Sequence, residues 1–198
     1  INSILYADGY LYVSDITHRR IRRLNLATGI VETIAGTGAS GSDNGDGNVA
    51  TFQLPTGLAK IGNYLYVADF TAHRIRRVLL SSPYTVSTVT GTGTLGKADG
   101  PLATATFNTP NNLTSDGQSL FLTETGGGVV RKIDLSRGVV STIAGQGTTV
   151  DSPGTGITAQ FNNPVGITHD GRRLYVMTHN AGGTLYRLMD SGLAGFWP

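Results

Sequence analysis

One run of residues recurs four times, and this limits the possible folds more than any other feature. Leu11-Tyr12-Val13-Ser14-Asp15 returns as Leu65-Tyr66-Val67-Ala68-Asp69, as Leu120-Phe121-Leu122-Thr123-Glu124 and as Leu174-Tyr175-Val176-Met177-Thr178, at intervals of 54, 55 and 54 residues. Three further markers keep a constant order behind it. Ile21-Arg22-Arg23-Leu24 is matched by Ile75-Arg76-Arg77-Val78, Val130-Arg131-Lys132-Ile133 and Leu185-Tyr186-Arg187-Leu188. Val31-Glu32-Thr33-Ile34-Ala35-Gly36 is matched by the segments ending at Gly91 and Gly145. Ala50-Thr51-Phe52 before Pro55 is matched by Ala105-Thr106-Phe107 before Pro110 and Ala159-Gln160-Phe161 before Pro164. A fixed period of this length is the signature of stacked copies of one supersecondary unit.

Each unit holds four short segments rich in β-branched and aromatic residues, with partial alternation and turn residues between them, so strands are expected and helices are not. The Pro-x-Gly-Leu-Ala stretch (Pro55 to Ala59) leads into strand a. Leu-Tyr-Val is strand b, Ile-Arg-Arg strand c and Val-x-Thr-Ile strand d. Four antiparallel strands repeated at this length predict an all-β protein, a β-propeller with blades at approximately 1–49, 50–104, 105–158 and 159–198. Composition agrees: only 14% of residues are charged and 28 of 198 are glycine, which suits strands and many turns. With 39% hydrophobic residues the chain can bury enough surface to order itself.

In this order the markers resemble the NHL repeat. His18-Arg19-Arg20-Ile21-Arg22 and His73-Arg74-Ile75-Arg76 stand where that family carries its namesake segment. The resemblance covers nearly the whole chain and implies a propeller. It leaves function open, because the family's relatives include RNA- and protein-binding propellers, a peptide-amidating lyase and bacterial surface proteins. NHL propellers commonly close with about six blades, whereas four are present here. The tail after Leu188 lacks a Val-x-Thr-Ile segment, so either it forms a degenerate strand d or the ring is incomplete. The expectation is a larger ring, completed by further sequence or by another copy.

In an up-and-down blade the b–c loop and the d-to-a crossover emerge on one side. The crossovers Gly36 to Ala50, Gly91 to Ala105 and Gly145 to Ala159 are 15 residues each, far longer than hairpin loops of roughly 2–5 residues. A ligand is therefore expected on that face. Its candidate residues are His18 and His73 at equivalent positions, His169 and His179 outside the repeat template, and Asp46 and Asp99 in the crossovers.

Gly36-Thr37-Gly38-Ala39-Ser40-Gly41 and Gly91-Thr92-Gly93-Thr94-Leu95-Gly96 match a dinucleotide fingerprint by letters. They lack the following helix that holds a pyrophosphate, and the repeat accounts for them. The run Ser42-Asp43-Asn44-Gly45-Asp46-Gly47-Asn48 is oxygen-rich enough for calcium, but it lacks EF-hand spacing and its counterparts lose the oxygens. Turns explain it better. No cofactor is expected, with calcium at this run kept as the alternative.

Asp15, Asp69 and Glu124 at the ends of strand b recur in phase with Arg23, Arg77, Lys132 and Arg187 on strand c, and such repeated acid–base positions read as structural. A net charge of +2 and loops poor in basic and aromatic residues make nucleic acid an improbable partner. No apolar run nears the ~20 residues that span a bilayer, and there is no cysteine for disulfides or thiol chemistry. Asn112-Leu113-Thr114 is a sequon, which carries meaning only in a glycosylating secretory pathway.

The chain therefore reads as a non-enzymatic extracellular or cell-surface module for protein contact, glycan contact or self-assembly. Two alternatives stand beside it: a metal-assisted lyase or hydrolase with His169 or His179 at the channel, and an RNA-binding propeller.

Overall fold

A computed structural model of the chain describes residues 1–148, 150–179, 183–188 and 194–196. Four antiparallel sheets follow one another along the sequence, each wound a-b-c-d from its inner to its outer edge. The first contains β1 (Ile4–Ala7), β2 (Tyr10–Asp15), β3 (Arg20–Asn25) and β4 (Val31–Ala35). The second contains β5 (Pro55–Ile61), β6 (Tyr64–Asp69), β7 (Arg74–Leu79) and β8 (Val86–Thr90). Then comes a two-residue strand, β9 (Gly100–Pro101), before β10 (Pro110–Ser115), β11 (Ser119–Glu124), β12 (Val129–Asp134) and β13 (Val139–Ala144). The last sheet contains β14 (Pro164–His169), β15 (Leu174–Thr178), β16 (Thr184–Leu188) and β17 (Ala194–Phe196). The innermost strands β1, β5, β10 and β14 surround a channel of about 510 Å³, so the sheets are blades arranged about a common axis. Among the described residues the helical content is one 3-10 turn, Gly156–Thr158, and no helix is long and apolar enough to cross a membrane.

The tail does supply a fourth strand. Ala194, Gly195 and Phe196 pair with Leu188, Arg187 and Tyr186, which makes β17 a short strand d without the Val-x-Thr-Ile pattern. An element that periodicity alone does not reveal is the fifth strand of the third blade. The crossover runs outward and pairs Gly100 and Pro101 with Val140 and Val139 on the outer edge of β13, and Gly45 bridges Val86 in the same way one blade earlier. These pairings cover part of an edge that would otherwise expose unpaired backbone groups.

The core lies between blades, not within them. Because side chains alternate along a strand, Tyr12 and Ile21 leave the first blade on one face and meet Leu65 and Val67 from the opposite face of the second. Tyr66 and Ile75 meet Leu120 and Leu122 in the same manner, and Phe121 and Val130 meet Leu174 and Val176. Each crossover then inserts one phenylalanine into the seam: Phe52, Phe107 and Phe161, all fully buried. Near the axis Thr56 donates a hydrogen bond to the carbonyl oxygen of Asn111 at 2.7 Å, and a β-carbon on Gly57 would collide with Asn112. Glycine is therefore required where the inner strands of neighbouring blades approach.

Candidate functional site

The long crossovers are held by ionic latches. Val67 pairs with Arg76 and Leu122 with Arg131, so these arginines share a face with the acidic residues ending strand b. Asp69, Glu124, Arg76 and Arg131 are buried. Arg76 donates to the carbonyl oxygens of Thr51 (3.1 Å) and Asp43 (2.9 Å) and to the Asn44 side chain (2.9 Å). Arg131 donates to the carbonyl oxygens of Thr106 (3.2 Å) and Ala98 (3.0 Å), to Asp99 (2.8 Å) and to Glu124. The carboxylates hold the other end of the same crossover: Asp69 accepts the Gln53 and Leu54 amides at 3.1 and 2.8 Å, and Glu124 accepts the Asn108 amide at 2.6 Å. A register shift opposite Ile75/Arg76 and Val130/Arg131 places a bulge beside each guanidinium, a device that re-aims side chains.

This corrects the pairing expected for the basic positions of strand c. Arg23, Arg77 and Lys132 lie one residue further along and therefore on the other face, opposite Tyr12, Tyr66 and Phe121. Their charges sit over aromatic rings instead: Arg23 over Tyr10 at 4.5 Å, Arg77 over Tyr64 at 4.7 Å and Lys132 over Phe121 at 5.8 Å. The Arg187 side chain lies outside the described residues.

Burial sets the titration of the latches. Loss of solvent pushes the Asp69 carboxyl up against the pull of the Leu54 and Gln53 amides and of Arg76, and it lowers the Arg76 guanidinium. Glu124 is pushed up to about 7 by the same loss of solvent, with Arg131 opposing. In the first blade burial also opposes ionisation of Asp15, but hydrogen bonds from His18 and Arg22 overcome it and hold the carboxyl down at about 2.

The six candidate residues do not converge. His18 contacts Asp15 through Nδ1 at 2.9 Å and is largely exposed. The His73 Nδ1 accepts the Thr109 amide at 3.2 Å, so it braces the next crossover. The His179 amide donates to the Asn163 carbonyl at 2.9 Å. His169 ends β14 at the a–b turn, the opposite end of the blade from the b–c loop that holds His179, and stacks on Phe121 with 6.0 Å between centroids. Asp46 accepts the Thr85 hydroxyl at 3.2 Å, and Asp99 holds Arg131 and the Thr142 amide. The oxygens considered for calcium have protein donors, with Asp43 accepting from Thr51 and Asn44 from Arg76 and Thr88. Among the described residues no group of three His, Asp or Glu side chains is placed to hold a metal ion.

One of the six, Asp46, does line an accessible concavity between the outer parts of the first and second blades. A cleft of about 670 Å³ is lined by Arg20, Thr33, Thr37, Asp46, Asn48 and Tyr84, among others. Arg20 donates to the Thr37 carbonyl at 2.9 Å through one nitrogen, while its Nε has no partner among the described residues. Tyr84 accepts from Arg23 at 2.7 Å and gives the cleft its aromatic wall. A sequence signal for this site exists. The second repeat interval is 55 residues because its c–d turn, which contains Ser81-Ser82-Pro83-Tyr84, holds one residue more than those of the first and third blades, and that turn forms a wall of the cleft.

No family model matches the chain. It is 32% identical over 145 residues to Protein SUPPRESSOR OF QUENCHING 1, chloroplastic, of Arabidopsis thaliana, an alignment spanning 67% of this chain and 13% of that protein. It is 31% identical over 143 residues to NHL repeat-containing protein 2 of Bos taurus, spanning 66% of this chain and 20% of that one. The chain belongs to the NHL-repeat β-propellers. It spans a fifth or less of the length of these two relatives. A Bacteroides thetaiotaomicron protein of unknown function shares the fold with a TM-score of 0.66 and 25% identity, over 85% of this chain and 41% of its own. A chain of the nidogen/laminin complex matches with a TM-score of 0.64 at 14% identity, over 94% of this chain and 60% of that one. Virginiamycin B lyase from Staphylococcus aureus matches with a TM-score of 0.59 at 16% identity, over 98% and 54%. The last two likenesses show the fold alone. NHL membership and the blade architecture support a binding or scaffolding module.

Proposed function

We propose that this chain is a non-enzymatic module that binds a protein partner outside the cell or at its surface, and that the cleft between the first and second blades receives an extended segment of that partner. One observation carries this reading. The latches fix the crossovers to buried groups, and beside them lies a cleft of about 670 Å³ lined by a guanidinium, a phenol, a carboxylate and an amide. That volume falls within the range of roughly 300–1,000 Å³ common to ligand sites, and the mixed donors and acceptors suit main-chain amides and short polar side chains. Low charge and threonine-rich loops support an extracellular setting. The rival enzyme reading gains nothing from its histidines, since His169 and His179 flank opposite ends of β15.

Panning a random peptide display library on the immobilised chain, with a glycan array in parallel, tests the reading. Selected peptides whose affinity falls at least tenfold on Asp46→Ala or Tyr84→Ala support it. Peptides indifferent to both changes, or binding confined to the glycan array, overturn it.

A further inference from the structure

The second and third blades build their latches from the same parts, with one exception. Arg76 takes the carbonyls of Thr51 and Asp43, and Arg131 takes those of Thr106 and Ala98. The guanidinium of Arg76 stands 5.4 Å from the Phe52 ring and that of Arg131 stands 5.2 Å from Phe107. Each arginine then meets one side chain of the crossover, and there the blades differ. Asp99 Oδ1 accepts Nε (3.1 Å) and a terminal nitrogen (2.8 Å) of Arg131 and the Thr142 hydroxyl (3.0 Å), while its Oδ2 accepts the Thr142 amide (2.9 Å). Asn44 stands in the equivalent place. Its Oδ1 accepts one nitrogen of Arg76 (2.9 Å) and the Thr88 hydroxyl (3.3 Å), but its Nδ2 is a donor and cannot act as a second carboxylate oxygen. Arg76 is fully buried, and its Nε has no hydrogen-bond partner among the described residues. A buried donor left unmatched destabilises the fold, and a carboxylate beside it would satisfy it strongly.

Asn44 is followed by Gly45, and this is the single Asn-Gly step in the sequence. Glycine has no β-carbon to hinder its amide nitrogen from reaching the preceding side chain, so the step cyclises readily. We propose that Asn44 is a modification site, deamidated to aspartate by water without an enzyme, and that the product completes the Arg76 latch as Asp99 completes that of Arg131. The Gly45 nitrogen gives up its proton and attacks the side-chain carbonyl carbon of Asn44. That C–N bond forms, the bond to Nδ2 breaks, and ammonia leaves with the proton. Water then opens the cyclic imide at the same carbon, breaking the new bond and returning a proton to the Gly45 nitrogen. The carboxyl group so formed ionises onto the ammonia, so one water is consumed and one ammonium released. Arg76 and Thr88 favour both steps, because they stabilise negative charge on the oxygen of the carbon under attack. They also direct water to that carbon, and so to aspartate, away from the isoaspartate that opening at the main-chain carbonyl gives. The Gly45 amide donates to the Val86 carbonyl at 3.1 Å, and this bridge must open first, which makes the change slow in the fold. The new charge meets little desolvation, since Asn44 is exposed and the Asp99 side chain keeps 47% of its surface in solvent.

The test ages the folded chain and the chain unfolded in urea in mildly alkaline buffer. Mass spectrometry follows the peptide holding Asn44, and electron-transfer fragmentation tells aspartate from isoaspartate. The expected result is that both samples lose the amide, the folded one more slowly, with a ratio of aspartate to isoaspartate at least fivefold higher in the folded chain. Thr88→Val removes one donor, leaves Arg76 in place and lowers that ratio at least twofold. For the latch itself, Asn44→Asp raises the urea midpoint at neutral pH, and freshly prepared Asp99→Asn, the reverse exchange in the third blade, lowers it. An Asn44 amide that persists in the fold as long as asparagines not followed by glycine overturns the modification site. Isoaspartate in the same proportion as in urea overturns the directing role of Arg76 and Thr88. An Asn44→Asp midpoint at or below that of the parent overturns the completed latch.

Discussion

Asp69 and Arg76 face each other 3.6 Å apart with both side chains shut off from solvent. The pair binds a segment that belongs to neither strand: the arginine takes carbonyls at the middle of the crossover and the aspartate takes amides at its end. Glu124 and Arg131 repeat this. In the fourth blade the arginine position is Tyr186, which packs edge-on against Phe161 at 4.9 Å and reaches Asp151 in the preceding crossover at 3.1 Å. A neutral phenol thus replaces the guanidinium over the same phenylalanine, while the acid position becomes Thr178.

Arg76→Met keeps the packing over Phe52 but strands Asp69 as an uncompensated buried carboxyl. Breaking a buried pair in this way costs about 3–5 kcal/mol. Urea unfolding should show that loss, and adding Asp69→Asn to Arg76→Met should recover part of it. A double mutant no more stable than Arg76→Met would remove the coupling claimed for the pair.

Glu124 gives the chain a pH dependence of definite sign. Its carboxyl titrates near 7 in the fold against a reference value of 4.5, so between those values the folded state holds a proton that the unfolded chain has released. Its contribution is fully present below about 4.5 and is lost as pH rises to about 7, with a slope of at most about 1.4 kcal/mol per pH unit. Asp69, also raised, acts in the same direction. Glu124→Gln should flatten the decline in unfolding free energy between pH 5 and 8 without reversing it. A variant as steep as the parent would place the proton elsewhere.

The repeat alone gives the blade order, the strands and the long crossovers, because hydrophobic alternation and turn residues are local signals. The partner of each acid was not legible. Arg22 and Arg23 are adjacent, both basic and both in phase with the period, and one residue decides whether a side chain meets Asp15 or Tyr10. Likewise His73 and His18 look equivalent in sequence, yet His73 braces Thr109 and His18 turns to its own Asp15, since what each can reach depends on the neighbouring crossover. The turn that supplies Tyr84 to the cleft differs from its counterparts in the first and third blades by a single residue, a departure small enough to pass as drift in the period.

Two glycines of nearly equal backbone angle separate conformational strain from crowding. Gly91 has φ +96° and Gly117 has φ +90°, and both would strain a larger residue. A β-carbon at Gly117 meets open space, whereas at Gly91 it would strike the His73 carbonyl oxygen and press on Phe107. Gly117→Ala should cost about 1 kcal/mol. Gly91→Ala should cost clearly more and lower the thermal midpoint further. Equal losses from the two variants would mean that the Gly91 turn can move away from His73.

Arg23 lies between the Tyr10 ring at 4.5 Å and the Tyr84 ring at 5.2 Å, and it donates to the Tyr84 hydroxyl at 2.7 Å. Its ion pair with Glu32 at 2.6 Å closes the fourth side. Tyr84→Phe removes only the hydroxyl acceptor and should cost about 0.5–1.5 kcal/mol. Tyr84→Ala also deletes a ring facing the cation, worth a further 0.5–1 kcal/mol at a partly exposed site. The two steps should appear in that order in denaturant midpoints, and raising the salt concentration should weaken the Glu32 contact more than either ring contact, because the carboxylate is the more exposed partner. If Tyr84→Phe proves as damaging as Tyr84→Ala, the hydroxyl, and not the face of the ring, holds Arg23 against the cleft wall.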